Sequence, residues 1–472
     1  MQNELVKNDV VKKDVVKNLS RIILFGACAL LTVWPGLPQT LVAQDNFSPA
    51  PLAGARRITL RQAVALALEN NRDVLLAEVA VARAEAEHRE AESVFKPQVL
   101  VGTGLAATRG FPLSIEGSAP SIFHIAATQA LFNPSLKNVA RQAGQMREAT
   151  QRSLEAKRDE IIAQTVLTYL DLDRSRRSLE YARSQRQNLL AAERIVNERV
   201  QAGLETPLER TRARLQTARS RRRSVALENQ VAMLEFTLRD LIGVPQSEAI
   251  LTETAQVPGS GLGANRMDAT VEEATADETI ERAVRNNEGI KSLEAQVRAR
   301  EFQVQSEQGT RWPRVNLVGQ YGLFSDINNF SDFFRKFARH NATFGISVVM
   351  PVYDRARFSA RLSKAEAELA AAHYRLSSAR AGIARQVREL MGETEQQAAA
   401  QEVAQLELEL ARSSLDATLA QYEEGRINRL ALEQARFAEN ESWLNFLEVG
   451  YQTERARLEL LRITGEIRAV FQ

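Results

Sequence analysis

The sequence predicts a mainly helical protein with a membrane β-barrel part, built as two tandem copies of one long-helix hairpin unit. Three observations carry this expectation. The second half of the chain repeats motifs of the first in the same order. Two stretches of about seventy residues pass almost without proline. Four segments alternate apolar and polar residues with period two, and they fall at duplicated positions.

Composition agrees with long helices. Of the 472 residues, 44% are apolar but only 6% aromatic, while Ala, Glu, Gln, Leu and Arg dominate. That is the bias of extended helices more than of compact mixed domains, although length alone would suggest about three domains. The formal net charge of +2 gives no field that would draw in nucleic acid or an acidic substrate.

Residues 1–43 read as a signal peptide. Lys12, Lys13, Lys17 and Arg21 precede the apolar run Ile22 to Trp34, and Ala43 is a small residue before a possible cut. The only cysteine, Cys28, lies in that run, where lipid attachment is the alternative to ordinary cleavage. With ordinary cleavage the mature chain has no thiol, which excludes disulfides, thiol catalysis and thiolate metal sites. No later segment approaches the roughly 18 apolar residues of a spanning helix. A mature chain that enters a membrane must therefore use strands.

After a linker at 44–57, the first repeat is expected at 58–243, a Gly/Ala-rich connector at 244–277, the second repeat at 278–467 and a short tail at 468–472. "ALENNRDV" (Ala67 to Val74) matches "AVRNNEGI" (Ala283 to Ile290). Pro97 pairs with Pro313, Phe132 with Tyr353, Gly203 with Gly425 and Gly243 with Gly465. The offset is 216 at the prolines, 221 at the aromatics and 222 at both glycine pairs. Nearly all the length change falls between the prolines and the aromatics, so an exposed loop is expected there.

Each repeat opens with a helix, Thr59 to about Val94 and Ala276 to about Gly309, that stops before its proline. Strands follow at about 97–108 and 120–132, and again at about 313–325 and 341–352. Val315, Leu317, Tyr321 and Leu323 share one side, as do Ala342, Phe344, Ile346, Val348 and Met350. The first repeat alternates more weakly, through Val99, Val101 and Leu105 and through Phe123, Ile125, Ala127 and Leu131. Such alternation over about ten residues is the signature of an outer-membrane barrel strand; two soluble hairpins packed on helices would alternate as well.

The long helices run from Pro134 to Gly203 and from Asp354 to Gly425, each up to ~100 Å at 1.5 Å per residue. That length suits a tube crossing the periplasm. Val231, Leu234, Leu238 and Leu241 recur at coiled-coil spacing, as do Leu444, Leu447, Tyr451, Leu458 and Leu461. Val403, Leu406 and Leu410 form one seam, and Leu408, Leu415 and Tyr422 a second seam on the same helix. Two seams predict neighbours on both sides, as in a closed ring; one broad amphipathic face in a bundle is the alternative. Gly203 and Gly425 end the ascending helices where left-handed backbone lets the chain turn back.

Four strands cannot close a barrel in lipid, because an open edge leaves backbone groups unpaired at several kcal/mol each. Several chains must contribute strands to one pore.

The tandem halves, strand pairs and paired glycine turns resemble the TolC family of outer-membrane efflux channels. The segments "LFNPSLKNVARQAG", "RVQAGLETPLERTRARLQTAR" and "YEEGRINRLALEQARFAE" carry the likeness, with the strand flank "KPQV". The resemblance covers about 58 to 467 and implies a homotrimer with a shared twelve-stranded barrel and an α-helical tunnel. It further implies that the chain is an exit duct docked to a periplasmic adaptor (membrane fusion protein) and an inner-membrane transporter. A soluble periplasmic coiled-coil adaptor or tether is the second reading.

In this family, acidic side chains often close the periplasmic end at positions matching Ala431 and Gln434, and neither is acidic here. Tyr422, Glu423, Glu424, Arg426, Arg429 and Glu433 crowd one turn, and Glu205, Glu209, Arg210 and Arg212 the other. They are candidates for a substitute gate or an adaptor contact, against the plainer reading of solvated helix-end charges. No catalytic, cofactor-binding or metal site is expected. His88, His124, His340 and His373 lack partners at ligand spacing, and the carboxylates read as helix-face charges. "RSRRRS" (Arg219 to Ser224) reads most simply as a solvated face rather than a nucleic-acid contact.

Overall fold

The computed structural model describes residues 56–104, 121–248, 250–252, 275–324, 338, 340–352, 354–427 and 429–471. All belong to one unit spanning Gly54–Gln472. The expected signal peptide, Cys28, nearly all of the linker, Leu105, Tyr353 and most of the connector lie outside the described residues.

The first repeat runs α1 (Leu60–Asn70), α2 (Arg72–Ser93), β2 (Gln98–Gly104), β3 (Ser121–Phe132), α3 (Pro134–Gln201) and α4 (Pro207–Ile242). A short strand β1 (Arg56–Ile58) precedes it and pairs in parallel with β4 (Ile250–Thr252). The second repeat runs α5 (Ala276–Asn286), α6 (Glu288–Gly309), β5 (Arg314–Phe324), β6 (His340–Val349), α7 (Arg355–Glu423), α8 (Arg429–Ile463) and α9 (Ile467–Phe471). At 68 and 69 residues, α3 and α7 each extend ~100 Å.

Thr59 and Thr275 start their repeats with the same device. Each accepts from the backbone N–H three residues on, while Gln62 or Glu278 reaches back to the cap. The expected single opening helix is in fact two. Asn71 and Asn287 adopt extended backbone (ψ 130° and 119°) and break the helix between α1 and α2 and between α5 and α6.

The reason lies in the returning helices. Asn71 Oδ1 caps α2 through the Asp73 N–H at 2.9 Å, and its Nδ2 donates to the Leu241 carbonyl at 3.1 Å. Asn287 Oδ1 accepts from the Ile290 N–H at 3.2 Å and its Nδ2 donates to the Ile463 carbonyl at 3.3 Å. Carbonyls in the last turns of α4 and α8 have no partner within their own helices, so each asparagine satisfies a group that the helix leaves open. Gly243 and Gly465 complete the junctions at φ +68° and +74°. In both, the next residue's N–H reaches back to Arg239 O or Leu461 O, the Schellman arrangement.

The main core joins α1, α3, α4 and α9 through Val64, Ile162, Val166, Leu172, Leu238 and Ile467, all fully buried. Tyr169 donates its hydroxyl proton to Ile58 O at 2.8 Å, tying β1 to α3. On the other side Ile290 and Val297 of α6 pack with Leu376 of α7. Of the expected seam through Leu408, Leu415 and Tyr422, Leu408 is buried, Leu415 half-buried and Tyr422 exposed, whereas Val403, Leu406 and Leu410 of the other seam are 55%, 58% and 71% exposed.

The residues after the second repeat, read as a tail, form α9 and dock on α3. Arg468 Nε donates to Asp159 Oδ1 at 2.5 Å, and the guanidinium also reaches the Glu155 carboxylate and carbonyl. Burial pushes the Asp159 carboxyl up from its ordinary range, opposed by the hydrogen bond and charge of Arg468. With the folded pKa above the unfolded one, the folded chain holds that proton more tightly. The resulting stability is full at acid pH and is lost as pH rises through the folded value. Arg468→Ala is therefore expected to cost about 3 kcal/mol near neutral pH and clearly less at a pH acid enough to protonate Asp159. Thermal unfolding at the two pH values checks this, and an equal loss at both would contradict the clamp.

Candidate functional site

The sheet order is β2-β3-β5-β6, antiparallel throughout. Its register decides what the four alternating segments do together. Val101 pairs with Ile125, Ile125 with Tyr321 and Tyr321 with Ala342. Val99 pairs with Ala127, Ala127 with Gly319 and Gly319 with Phe344; further along, Leu317 pairs with Ile346. Directly paired residues point to the same side, so four separate apolar stripes merge into one face. On the other face lie Thr128, Asn316, Gln320, Thr343 and Ser347.

The register shifts at three places: between Gly102 and Gly104, between Ser121 and Phe123, and between Ala130 and Phe132. A bulge between Ala130 and Phe132 shifts the register, so Phe132 rather than Leu131 pairs with Val315.

The apolar face is uncovered: Phe344, Ile346 and Val348 are 80%, 66% and 64% exposed. A contiguous apolar surface of this kind marks a membrane or partner contact. The outer edges of β2 and β6 have no partner strand among the described residues. No helix among the described residues is long and apolar enough to cross a membrane.

At the far ends of α3 and α7, Gly203 and Gly425 sit at φ +72° and +73°. Leu204 N–H donates to Arg199 O and Arg426 N–H to Gln421 O, each at 2.9 Å, so the two turns share one geometry. Thr206 caps α4, accepting from the Glu209 N–H, and Pro207 occupies the first turn, where a missing N–H costs nothing.

The charges at the turns pair locally. Glu205 meets Arg199 at 3.5 Å, Glu209 meets Arg212 at 2.5 Å, Glu424 meets Arg426 at 2.9 Å and Glu433 meets Arg436 at 3.2 Å. Tyr422, Glu423 and Arg210 are exposed. The Arg429 side chain lies outside the described residues. Among the described ion pairs, none links one turn to the other.

The two hairpins meet higher up. Arg174 of α3 pairs with Glu448 of α8 and covers the Tyr451 ring at 4.5 Å, Arg223 of α4 pairs with Glu441 of α8, and Tyr181 stacks against Trp443 at 5.4 Å. Burial and the carboxylates of Glu439 and Glu441 push the Tyr181 hydroxyl up to about 12. It stays neutral. No group of His, Cys, Asp and Glu able to hold a metal ion occurs among the described residues.

A duplicated chain that pairs an open sheet, apolar on one face, with hairpins of ~100 Å defines a class: a wall segment of a membrane channel. Residues 63–244 and 279–466 match the family described as outer membrane efflux protein. The chain belongs to that family, and it is an outer-membrane exit duct.

Solved structures share the fold. The CmeC outer membrane channel of Campylobacter jejuni aligns with a TM-score of 0.72 at 16% identity, over 93% of this chain and 95% of that one. A membrane protein from Pseudomonas aeruginosa gives 0.69 at 20% identity, over 86% and 92%. The open-state MtrE outer membrane channel of Neisseria gonorrhoeae gives 0.67 at 15% identity, over 86% and 89%. No curated protein matches the sequence.

The sequence reading missed the Asn71 and Asn287 junctions. Their signal lies in the sequence, where "ENNRD" and "RNNEG" repeat a doubled asparagine inside a helical pattern. It also missed the Arg468 clamp, whose partners lie more than three hundred residues away.

Proposed function

We propose that three copies of the chain pair sheet edges, β6 of one with β2 of the next, and close a twelve-stranded barrel in the outer membrane. One observation carries this reading: a four-stranded sheet whose two outer edges have no partner strand among the described residues and whose one face is apolar except at Gln129. Backbone groups on those edges would be stranded in hydrocarbon, and pairing with another copy is the remedy that leaves no edge. The count of three rests on the family likeness.

Helices α3, α4, α7 and α8 of the copies then continue as one tunnel into the periplasm. Cargo diffuses down it, and no cofactor or catalytic step is needed. The turns at Gly203 and Gly425 dock a periplasmic adaptor, and an inner-membrane transporter supplies the energy. The charges around the turns, Glu433 and Arg429 among them, close the tunnel at rest by pairing within and between copies.

The purified protein is expected to give discrete single-channel steps in a planar bilayer. Alanine at both Arg429 and Glu433 is expected to enlarge those steps. Unchanged steps would remove the gate and keep the duct; the absence of any conductance from wild type would remove the duct.

A further inference from the structure

The strands β2, β3, β5 and β6 contain no carboxylate and no lysine, so Arg314, the first residue of β5, is the only permanent charge they carry. The register decides which way it points. Arg314 pairs with Val349 and Val315 with Val348, so the arginine lies opposite the apolar face, on the side of Asn316, Gln320, Thr343 and Ser347. Its side chain is exposed and forms no ion pair among the described residues. Among the described strand residues, the one other ionisable side chain on that face is His124, level with Gly102 and Gly322 toward the far end of the sheet. His340 pairs with Leu323 on the apolar face and bonds the Tyr321 hydroxyl at 2.8 Å.

We propose that Arg314 sets the ion preference of the duct, favouring anionic solutes at low ionic strength. The proposal rests on the shared-barrel reading, in which the polar face lines the lumen and each copy contributes one guanidinium to a ring. Arg314 opens β5 just after α6, so the ring lies where the barrel gives way to the tunnel. Rings of cationic side chains select anions in pores. Between Arg314 and His124 the polar face carries only uncharged side chains, so nothing on it offsets the ring. At the turns, by contrast, both signs occur in local pairs such as Glu205 with Arg199 and Glu424 with Arg426. The overall charge of +2 conceals this one-sided lining.

The reach of the ring follows from geometry. Twelve strands about 4.8 Å apart, tilted by about 40°, enclose a wall of radius about 12 Å. At about 0.01 M salt the Debye length is about 30 Å, so the field of the ring fills the lumen. At about 1 M it is about 3 Å, and the field stays at the wall.

The test is the reversal potential of single channels in a planar bilayer under a tenfold KCl gradient. Between about 0.01 and 0.1 M, wild type is expected to reverse toward the chloride equilibrium potential, and Arg314→Lys to match it. Arg314→Gln is expected to fall toward zero. Arg314→Glu is expected to cross to the potassium side, a change of sign that mere loosening of the strand end would not produce. His124 is common to all four proteins, so their differences read position 314 alone. Between about 0.1 and 1 M, where screening is stronger, the four are expected to converge.

A wild type without chloride preference at low salt overturns the proposal while the duct stands. So does a reversal potential that Arg314→Gln and Arg314→Glu leave unchanged. Absence of any conductance from wild type overturns the duct and the proposal together.

Discussion

A chain carrying Ile346→Arg is expected to be lost from the outer membrane, whereas Ser347→Arg is expected to insert. Ile346 lies on the merged apolar face, opposite Leu317, and is largely exposed. Its neighbour Ser347 pairs with Asn316 on the polar face. An arginine facing lipid costs about 2–4 kcal/mol near the bilayer midplane, while one facing the lumen costs little. Every copy in the ring repeats the penalty. Membrane fractionation followed by urea extraction reads the difference directly. Equal retention of both variants would mean that the apolar face does not meet lipid.

Gly243→Ala is expected to destabilise the protein far more than Gly203→Ala, although both glycines have nearly the same φ. An added Cβ at Gly243 would stand 2.5 Å from Asn70 Cβ, within the junction that Asn71 organises. At Gly203 it would meet nothing within 4 Å. Left-handed backbone costs a residue with a Cβ about 1–2 kcal/mol in either place, and overpacking adds roughly 1–3 kcal/mol at Gly243 alone. Gly243→Ala should therefore lose about 2–5 kcal/mol and Gly203→Ala about 1–2. Thermal unfolding in detergent ranks them, and equal losses would show that the junction yields freely.

The sheet was legible because its signal is local. Period-two alternation places Val99, Ile125, Leu317 and Ile346 on apolar stripes whatever their partners are. Only the register, however, merges those stripes, and the bulge at Leu131 depends on how β3 meets β5. The turns were legible too, since a glycine ending about seventy helical residues has few other uses. At the turns the sequence supplied the charges but not their pairing; Glu209–Arg212 and Glu433–Arg436 are neighbours on one helix.

What stayed hidden depends on groups distant in the chain. Asn71 reads as a mild interruption until the Leu241 carbonyl is beside it. Arg468 is an ordinary terminal charge until α9 folds back on Asp159. The two seams of α7 were visible as rows, but that Leu408 of one is buried within the chain while Val403, Leu406 and Leu410 of the other face outward is a matter of packing.

The central claim is that one chain supplies only part of a barrel wall. Its most direct measurement is the protein mass of the purified mature protein in mild detergent, corrected for bound detergent. The account predicts about three times the mass of a single mature chain, from particles that need detergent to remain in solution. A protein of single-chain mass, stable in plain buffer, would contradict it.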